Sequence, residues 1–322
     1  MYKYTLPLSG LMLFSAPSVS YELIDNDLAY LHFYGDIKAR ALILDEQDND
    51  YTFGDSKVGI LGLYAITDLI ALAGGLETQV NFDADEDKDE DDIFVSQYFI
   101  GLYAEAIGRL TYGKHNTSSD DLNGVDYSEA FGGEANLNAV GVKGDTIKYV
   151  YDNELFALNA TYGFEDGNQK RTVKELFGQY NLADLVLTGG IGKTDTNTQN
   201  HQTDATYFQV TARMEMGDTN LGLTYYNQDL DNNLQPSQSI DKNAFALSGQ
   251  IAFTQRTTGY LGHEVIEQDS NSSALNGTRN NSYIGLSFVP IEYTKLFTEV
   301  NYDTPVSSHD ELNIALGAVI AW

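Results

Sequence analysis

From Ala29 onward the chain alternates apolar and polar residues with a period of two, segment after segment. That is the pattern of β-strands with one apolar and one wet face. In an early segment Leu31, Phe33, Ile37, Ala39, Ala41 and Ile43 share a face, opposite His32, Tyr34, Asp36, Lys38 and Arg40. In a later one Phe208, Val210, Ala212, Met214 and Met216 oppose Tyr207, Gln209, Thr211, Arg213 and Glu215. Sixteen such segments are readable, at 29–44, 55–65, 69–82, 93–104, 107–115, 145–152, 155–164, 173–181, 185–194, 205–216, 220–228, 242–253, 258–267, 281–289, 295–303 and 310–322. Their connections include tight turns, such as Thr67-Asp68 and Asn153-Glu154, and long polar loops at 45–54, 83–92, 116–144, 195–204, 229–241 and 268–280. A soluble sandwich rarely needs strands this long or this many. Short turns at one end, long loops at the other and an even strand number define a transmembrane barrel. The expected fold is all-β: a 16-stranded antiparallel transmembrane barrel over residues 21–322, with both termini at the short-turn end.

Composition agrees with many strands and tight turns: 22 Tyr and 29 Gly against 5 Pro, with a single Trp. After the N-terminus no segment approaches the roughly 20 apolar residues of a membrane helix. Cysteine is absent, which excludes a disulfide framework and thiolate metal sites. With 47 acidic against 18 basic residues the chain would repel nucleic acid, which is excluded as a partner. The acid is densest in Asp83 to Asp92, a run read as a solvated loop or as a binder of divalent cations, shared with lipopolysaccharide phosphates or at a subunit contact.

The ends carry their own signals. Residues 1–20 have Lys3, an apolar run from Leu6 to Phe14, and small residues at Ser18 and Ser20, which predicts an export signal cleaved before Tyr21. At the other end Leu312, Ile314, Leu316, Ala318, Ile320 and Trp322 occupy every second position up to the last residue. Such a strand suits a barrel that closes on its first strand and leaves no edge in lipid.

One connection stands apart. Between Ile107 and Tyr151 the chain makes an excursion too long for a plain loop, and unstructured connections of that length in compact domains are uncommon and usually functional. It contains Tyr112-Gly113-Lys114 and Glu129-Ala130-Phe131-Gly132-Gly133-Glu134. These stretches resemble the general porins of Gram-negative outer membranes, in which a strand ending Tyr-Gly-Arg leads into a third external loop carrying Pro-Glu-Phe-Gly-Gly-Asp. The Pro position falls on Ala130 or Ser128. Phe33-Tyr34-Gly35-Asp36-Ile37-Lys38 is similar to the family's first strand, Ser56-Lys57-Val58-Gly59 to its second, and the C-terminal strand to the one by which such barrels are recognised during assembly.

The resemblance implies an outer-membrane homotrimer, exported through the periplasm, that passes ions and small hydrophilic solutes through a pore narrowed by the loop at 116–144. It implies constriction residues Glu129 and Asp126 on the loop, facing Lys57, Lys114 and Lys143 on the wall, with Lys38 and Arg40 as further lumen charges. Strict alternation aims Lys114 outward, so it serves only if the strand bends after Gly113. Leu61 stands where relatives carry Lys, which thins the positive wall.

The acids Asp120, Asp121, Asp126, Glu129 and Glu134 against Lys143 in the loop, with Asp36, Glu77 and Glu215 on strands, predict a cation-preferring pore, because carboxylate rings favour cations. An adhesin or receptor barrel using the long loops, or an outer-membrane hydrolase, are the alternatives. The histidines 32, 115, 201, 263 and 309 are scattered over different hairpins without triad or metal spacing, so the chain is expected not to be an enzyme and to need no cofactor.

Overall fold

The computed structural model describes residues 21–322 apart from 27, 46–48, 82–91, 139, 166–169, 199–201, 235–238, 272–275 and 307–308. The predicted export signal and nearly all of the acidic run at 83–92 lie outside the described residues. The strands are β1 (Tyr21–Asp25), β2 (Ala29–Ile43), β3 (Asp50–Thr52), β4 (Ser56–Ala65), β5 (Ala71–Asn81), β6 (Asp92–Ala104), β7 (Gly108–Asn116), β8 (Val142–Asp152) and β9 (Phe156–Gly163). They continue as β10 (Arg171–Leu182), β11 (Leu185–Asn197), β12 (Gln202–Met216), β13 (Thr219–Asn232), β14 (Ile240–Thr254), β15 (Thr257–Ser270), β16 (Gly277–Phe288), β17 (Thr294–Thr304) and β18 (Glu311–Ala321). One short helix, α1 (Ser118–Asp121), interrupts them.

Every neighbour is antiparallel, and β18 returns to β2, so β2 and β4 to β18 form a closed ring of sixteen strands. The two extra strands complete β2 where it overruns its neighbours. β18 pairs with residues 36–43 of β2, and β1 takes up the same edge at residues 30–33. Trp322 exchanges both backbone hydrogen bonds with Gly35, between those two stretches. This edge of β2 is thus covered by β18 along one stretch and by β1 along the other, and the edge in between is satisfied as lipid demands.

The face assignments follow the sequence alternation. Leu176, Ile191, Val210, Phe245, Leu261 and Ile284 point outward and are exposed, while Glu175, Tyr207, Gln209, Thr211, Glu264 and Asn281 point inward and are buried. Each large outward side chain gains about 1.5–3 kcal/mol when covered by lipid, so the outer face fixes the register. Several strands run further than their apolar pattern: β11 and β12 extend through Asp195↔Asp204 and Thr196↔Thr203, inside the stretch 195–204 read from sequence as a loop. Beyond the apolar band both faces meet water, so alternation fades while the backbone ladder continues.

Candidate functional site

The residues between β7 and β8 do not arch away from the barrel. Their base is pinched by Thr117, whose N–H donates to Gly141 O at 2.8 Å and whose Oγ1 donates to Val140 O at 2.6 Å. From there the segment packs on inward-facing side chains of β9 to β17, held by three wall carboxylates that accept its backbone N–H groups. Glu175 on β10 accepts Ser118 N at 2.6 Å, Ser119 N at 3.2 Å and Ser119 Oγ at 2.6 Å, and is steadied by Tyr207 Oη at 2.6 Å. Glu299 on β17 accepts Glu129 N at 2.8 Å, Phe131 N at 3.0 Å and the Ser128 hydroxyl at 2.5 Å. Glu264 on β15 accepts Gly133 N at 3.0 Å and Glu134 N at 3.1 Å. A hydrogen bond to a charged acceptor is worth about 1.5–3 kcal/mol, so each carboxylate is a strong fixing point.

Apolar contacts fill the gaps. Leu122 buries against Phe177 and Tyr207, while Ala135 and Leu137 bury against Tyr226, Ala244, Ala246 and Ile266. Gly222 makes room for Val125, since a Cβ there would stand 2.4 Å from the Val125 Cβ. The Phe131-Gly132-Gly133 turn needs Gly133 for its φ of +87°.

The sequence-derived site residues are distributed as follows. Lys38 and Arg40 on β2 and Lys57 on β4 form one wall with acids interleaved: Lys57 Nζ lies 3.9 Å from Glu77 Oε2, Lys38 Nζ 3.8 Å from Asp36, and Arg40 2.7 Å from Asp55. Leu61 is buried on the inner face of the same wall. Glu129 reaches the basic side, but its partner is Lys295 on β17, whose Nζ is 2.6 Å from Glu129 Oε1, rather than Lys57. Lys295 pairs with Val319, and Val319 with Lys38, so the two lysines share one row across three strands. Asp126 accepts the hydroxyl of Tyr283 and, at 2.9 Å, Ser128 N, so it props the turn. Lys143 is buried on β8, its Nζ donating to Gly144 O at 3.1 Å.

Lys114 does not join them. It pairs with outward Tyr98, its ammonium lies 5.7 Å from the centre of the Phe94 ring and donates to Val95 O at 2.7 Å. The irregularity here lies on β8, where Gly144 and Asp145 stand opposite Lys114 alone, so β7 keeps its alternation and His115, not Lys114, faces inward to Thr111.

Sequence reasoning missed the three anchoring carboxylates and the bases that neutralise the segment's acids: Lys295, Lys148, whose Nζ is 2.5 Å from Asp121 Oδ2, and Arg279, which grips Asp303 with two nitrogens and Glu134 with a third. The signal was available as charged residues at inward strand positions. Among the charges near the base, Asp120 is pushed up to about 6 by enclosure within the barrel, reinforced by the Asp121 carboxylate and opposed by Lys148 and Lys57.

A closed sixteen-stranded barrel, apolar outside and charged inside, with a long segment pinned across its inner face, defines an outer-membrane barrel of porin type. The family model described as Gram-negative porin matches residues 29–319, and the chain belongs to that family. The fold is shared with the L8-loop deletion mutant of OmpT, an outer membrane protein of Vibrio cholerae, at 27% identity and a TM-score of 0.80, covering 92% of this chain and 100% of that one. In vitro folded OmpT in its trimer form matches at 26% identity and a TM-score of 0.79, covering 92% and 100%. An anion-selective porin from Comamonas acidovorans matches in fold at 13% identity and a TM-score of 0.74, covering 91% and 100%. No curated protein matches.

One expectation is corrected here. The structures at 26–27% identity are described as an outer membrane protein, a description that ties the fold to no single activity, so the sequence-based conclusion that the chain is not an enzyme does not stand. Scattered histidines were too narrow a ground for it, because a barrel brings residues from distant hairpins onto one inner wall.

Proposed function

We propose that this porin is a passive diffusion channel for ions and small hydrophilic solutes, narrowed by the segment at 117–141 and weakly cation-preferring. The observation that carries the reading is the fixing of that segment on Glu175, Glu264 and Glu299, which brings Glu129 to Lys295, in the same row as Lys38. A barrel of about 16 strands encloses more space than side chains fill, so the passage lies between segment and wall.

The sign of the preference rests on what remains after pairing. Glu129, Asp121 and Glu134 are matched by Lys295, Lys148 and Arg279, whereas Asp120 and Asp126 have no ion pair among the described residues. Carboxylates at a constriction favour cations. The fold itself does not decide, since it is shared with an anion-selective porin. The trimer form of OmpT supports a homotrimer; lipopolysaccharide around it and short turns facing the periplasm follow from the outer-membrane barrel reading.

Single-channel conductance and the reversal potential of purified protein in a KCl gradient test the proposal. A modest cation-selective potential is expected, reduced more by Asp120→Asn with Asp126→Asn than by neutralising acids at 83–92. A closed barrel, an anion-selective one, or equal effects from the two sets would overturn it.

A further inference from the structure

A groove of about 760 Å³ runs over the outer wall on β13 to β17, toward their short-turn ends. Two adjoining rows of outward residues account for it. Leu221, Gly249, Leu261 and Ile284 pair across neighbouring strands, and so do Ile251, Gly259 and Leu286. Each row lacks one side chain, at Gly249 and at Gly259, and the two gaps lie diagonally across β14 and β15. Leu221 and Phe253 lean over them, since a Cβ would stand 2.9 Å from Leu221 Cδ2 and 2.6 Å from the Phe253 ring, and the trough between the rows stays open. Ser248, Tyr260 and Glu299 of the same stretch turn to the lumen and are buried, so what faces the groove is hydrocarbon, with Thr219 and Thr298 at its edges.

The charge at the end of the groove differs from that of every other short turn. Seven short connections join the strands in pairs from β4–β5 to β16–β17. Six carry one acid and no base, at Asp68, Glu105, Glu154, Asp184, Asp218 and Glu292. The seventh, Gln255-Arg256 between β14 and β15, carries a base and no acid. It is the turn at which the groove ends, with Phe253 and Gly259 lining the groove three residues to either side of Arg256. Arg256 is exposed and donates from Nη1 to Pro290 O at 3.1 Å, which ties this turn to the next. Its other guanidinium nitrogens have no partner among the described residues, and neither Asp218 nor Glu292 on the flanking turns forms an ion pair with it. Exposed Phe253, Phe288 and Tyr293 surround this end. Such aromatic residues mark the boundary of the hydrocarbon, which puts Arg256 at headgroup level.

We infer that this groove is a binding site for one glycerophospholipid, with an acyl chain in the trough and the phosphate on Arg256. Apolar coverage alone does not distinguish this part of the wall, but a free guanidinium directly below a recess does. The planar fork of Arg matches a phosphate in geometry as well as in charge. The phospholipid is that of the short-turn leaflet, whereas lipopolysaccharide belongs to the long-loop side. The site therefore rests on the outer-membrane barrel and its orientation as proposed above, and not on an open pore.

Native mass spectrometry of the detergent-purified barrel tests this with three probes: dioleoylphosphatidylglycerol, dioleoylglycerol, which has the same chains and no phosphate, and lipopolysaccharide. Saturable retention of one phosphatidylglycerol per chain is expected, about tenfold or more tighter than dioleoylglycerol, because the charge-assisted contact is missing from the latter. Arg256→Gln should weaken retention by a similar factor, and Arg256→Lys should restore only part of it, because an ammonium lacks the fork. Gly249→Leu should also weaken it, with Arg256 in place, by filling the trough; the close neighbour there is the end of the Leu221 side chain, which can swing aside. Conversion of the variants on SDS gels at the wild-type temperature shows that they are folded, and the comparison of lipids on the wild type needs no variant. Equal retention of the two dioleoyl lipids, a stoichiometry that climbs without saturating, an unchanged Arg256→Gln, or lipopolysaccharide held in place of phosphatidylglycerol would overturn the inference. Retention by a barrel that does not conduct would remove the channel reading and leave the site. Conductance without saturable retention would do the reverse.

Discussion

Glu129 and Lys295 meet at 2.6 Å across the space between the inward segment and β17, 166 residues apart in the chain. Both are only partly exposed, so the pair is less screened than a surface one. Each residue removed alone leaves an uncompensated charge beside the passage. Glu129→Gln should shift the reversal potential toward anions and Lys295→Gln toward cations, with the double variant close to wild type. A double variant no nearer to wild type than either single one would show that the two charges do not offset one another at the passage.

The three carboxylate anchors give a second expectation. Glu299 accepts two backbone N–H groups and a hydroxyl, and Glu→Gln turns an amide NH₂ toward donors it cannot accept from. Glu299→Gln should cost about 1.5–3 kcal/mol for each bond lost and loosen the Ser128–Phe131 turn. The measurable outcome is a noisier, larger single-channel current with an intact barrel. Glu264→Gln, which disturbs Gly133 and Glu134, should add to it. A quiet current of unchanged size in the double variant would remove these groups from the account of the segment's position.

Much of this architecture was legible in the sequence because lipid imposes a strict rule. Outward positions must be apolar, so Leu176, Val210 and Ile284 announce their face, and with it the strand and its register. The inner face obeys no such rule. Glu175, Glu264 and Glu299 look like ordinary wet-face acids until the backbone N–H groups of residues 118–134 arrive, and Lys295 is unremarkable until Glu129 is beside it. Lys114 shows the reverse case. Motif position suggested the lumen, while alternation, the stronger constraint, pointed outward and prevailed.

Acidity should change selectivity in a defined range. Asp120 is pushed up to about 6, chiefly by enclosure and then by the adjacent Asp121 charge, and burial also raises Asp126 above the ordinary carboxylate range. A raised value means protonation begins earlier as pH falls, so negative charge beside the passage is lost on going from pH 7 to pH 5. Cation preference should decline over that interval, with Asp120→Asn abolishing the part of the step centred near 6. Reversal potentials measured at half-unit intervals decide it. A step that persists in Asp120→Asn assigns the titration to another group.

Closure of the barrel makes the last prediction. Trp322 bonds through both N–H and C=O to Gly35, and a Cβ on Gly35 would stand 2.7 Å from the Trp322 ring and from Lys57 O. The Lys57 carbonyl is backbone and cannot turn aside, so a side chain at 35 forces the β2 seam open against either β4 or the C-terminus. Overpacking of this kind costs about 1–3 kcal/mol. Deleting Trp322 removes both hydrogen bonds and exposes backbone groups of β2 between the stretches held by β18 and β1, which is costly in lipid. Gly35→Val and the Trp322 deletion should therefore each lower the temperature at which the folded barrel converts to the unfolded form on SDS gels. Combined, they should cost less than the sum of the two, because the deletion removes one of the atoms the valine collides with. Strict additivity would mean that Gly35 is needed for its contact with Lys57 alone, and that the tryptophan ring plays no part in the seam.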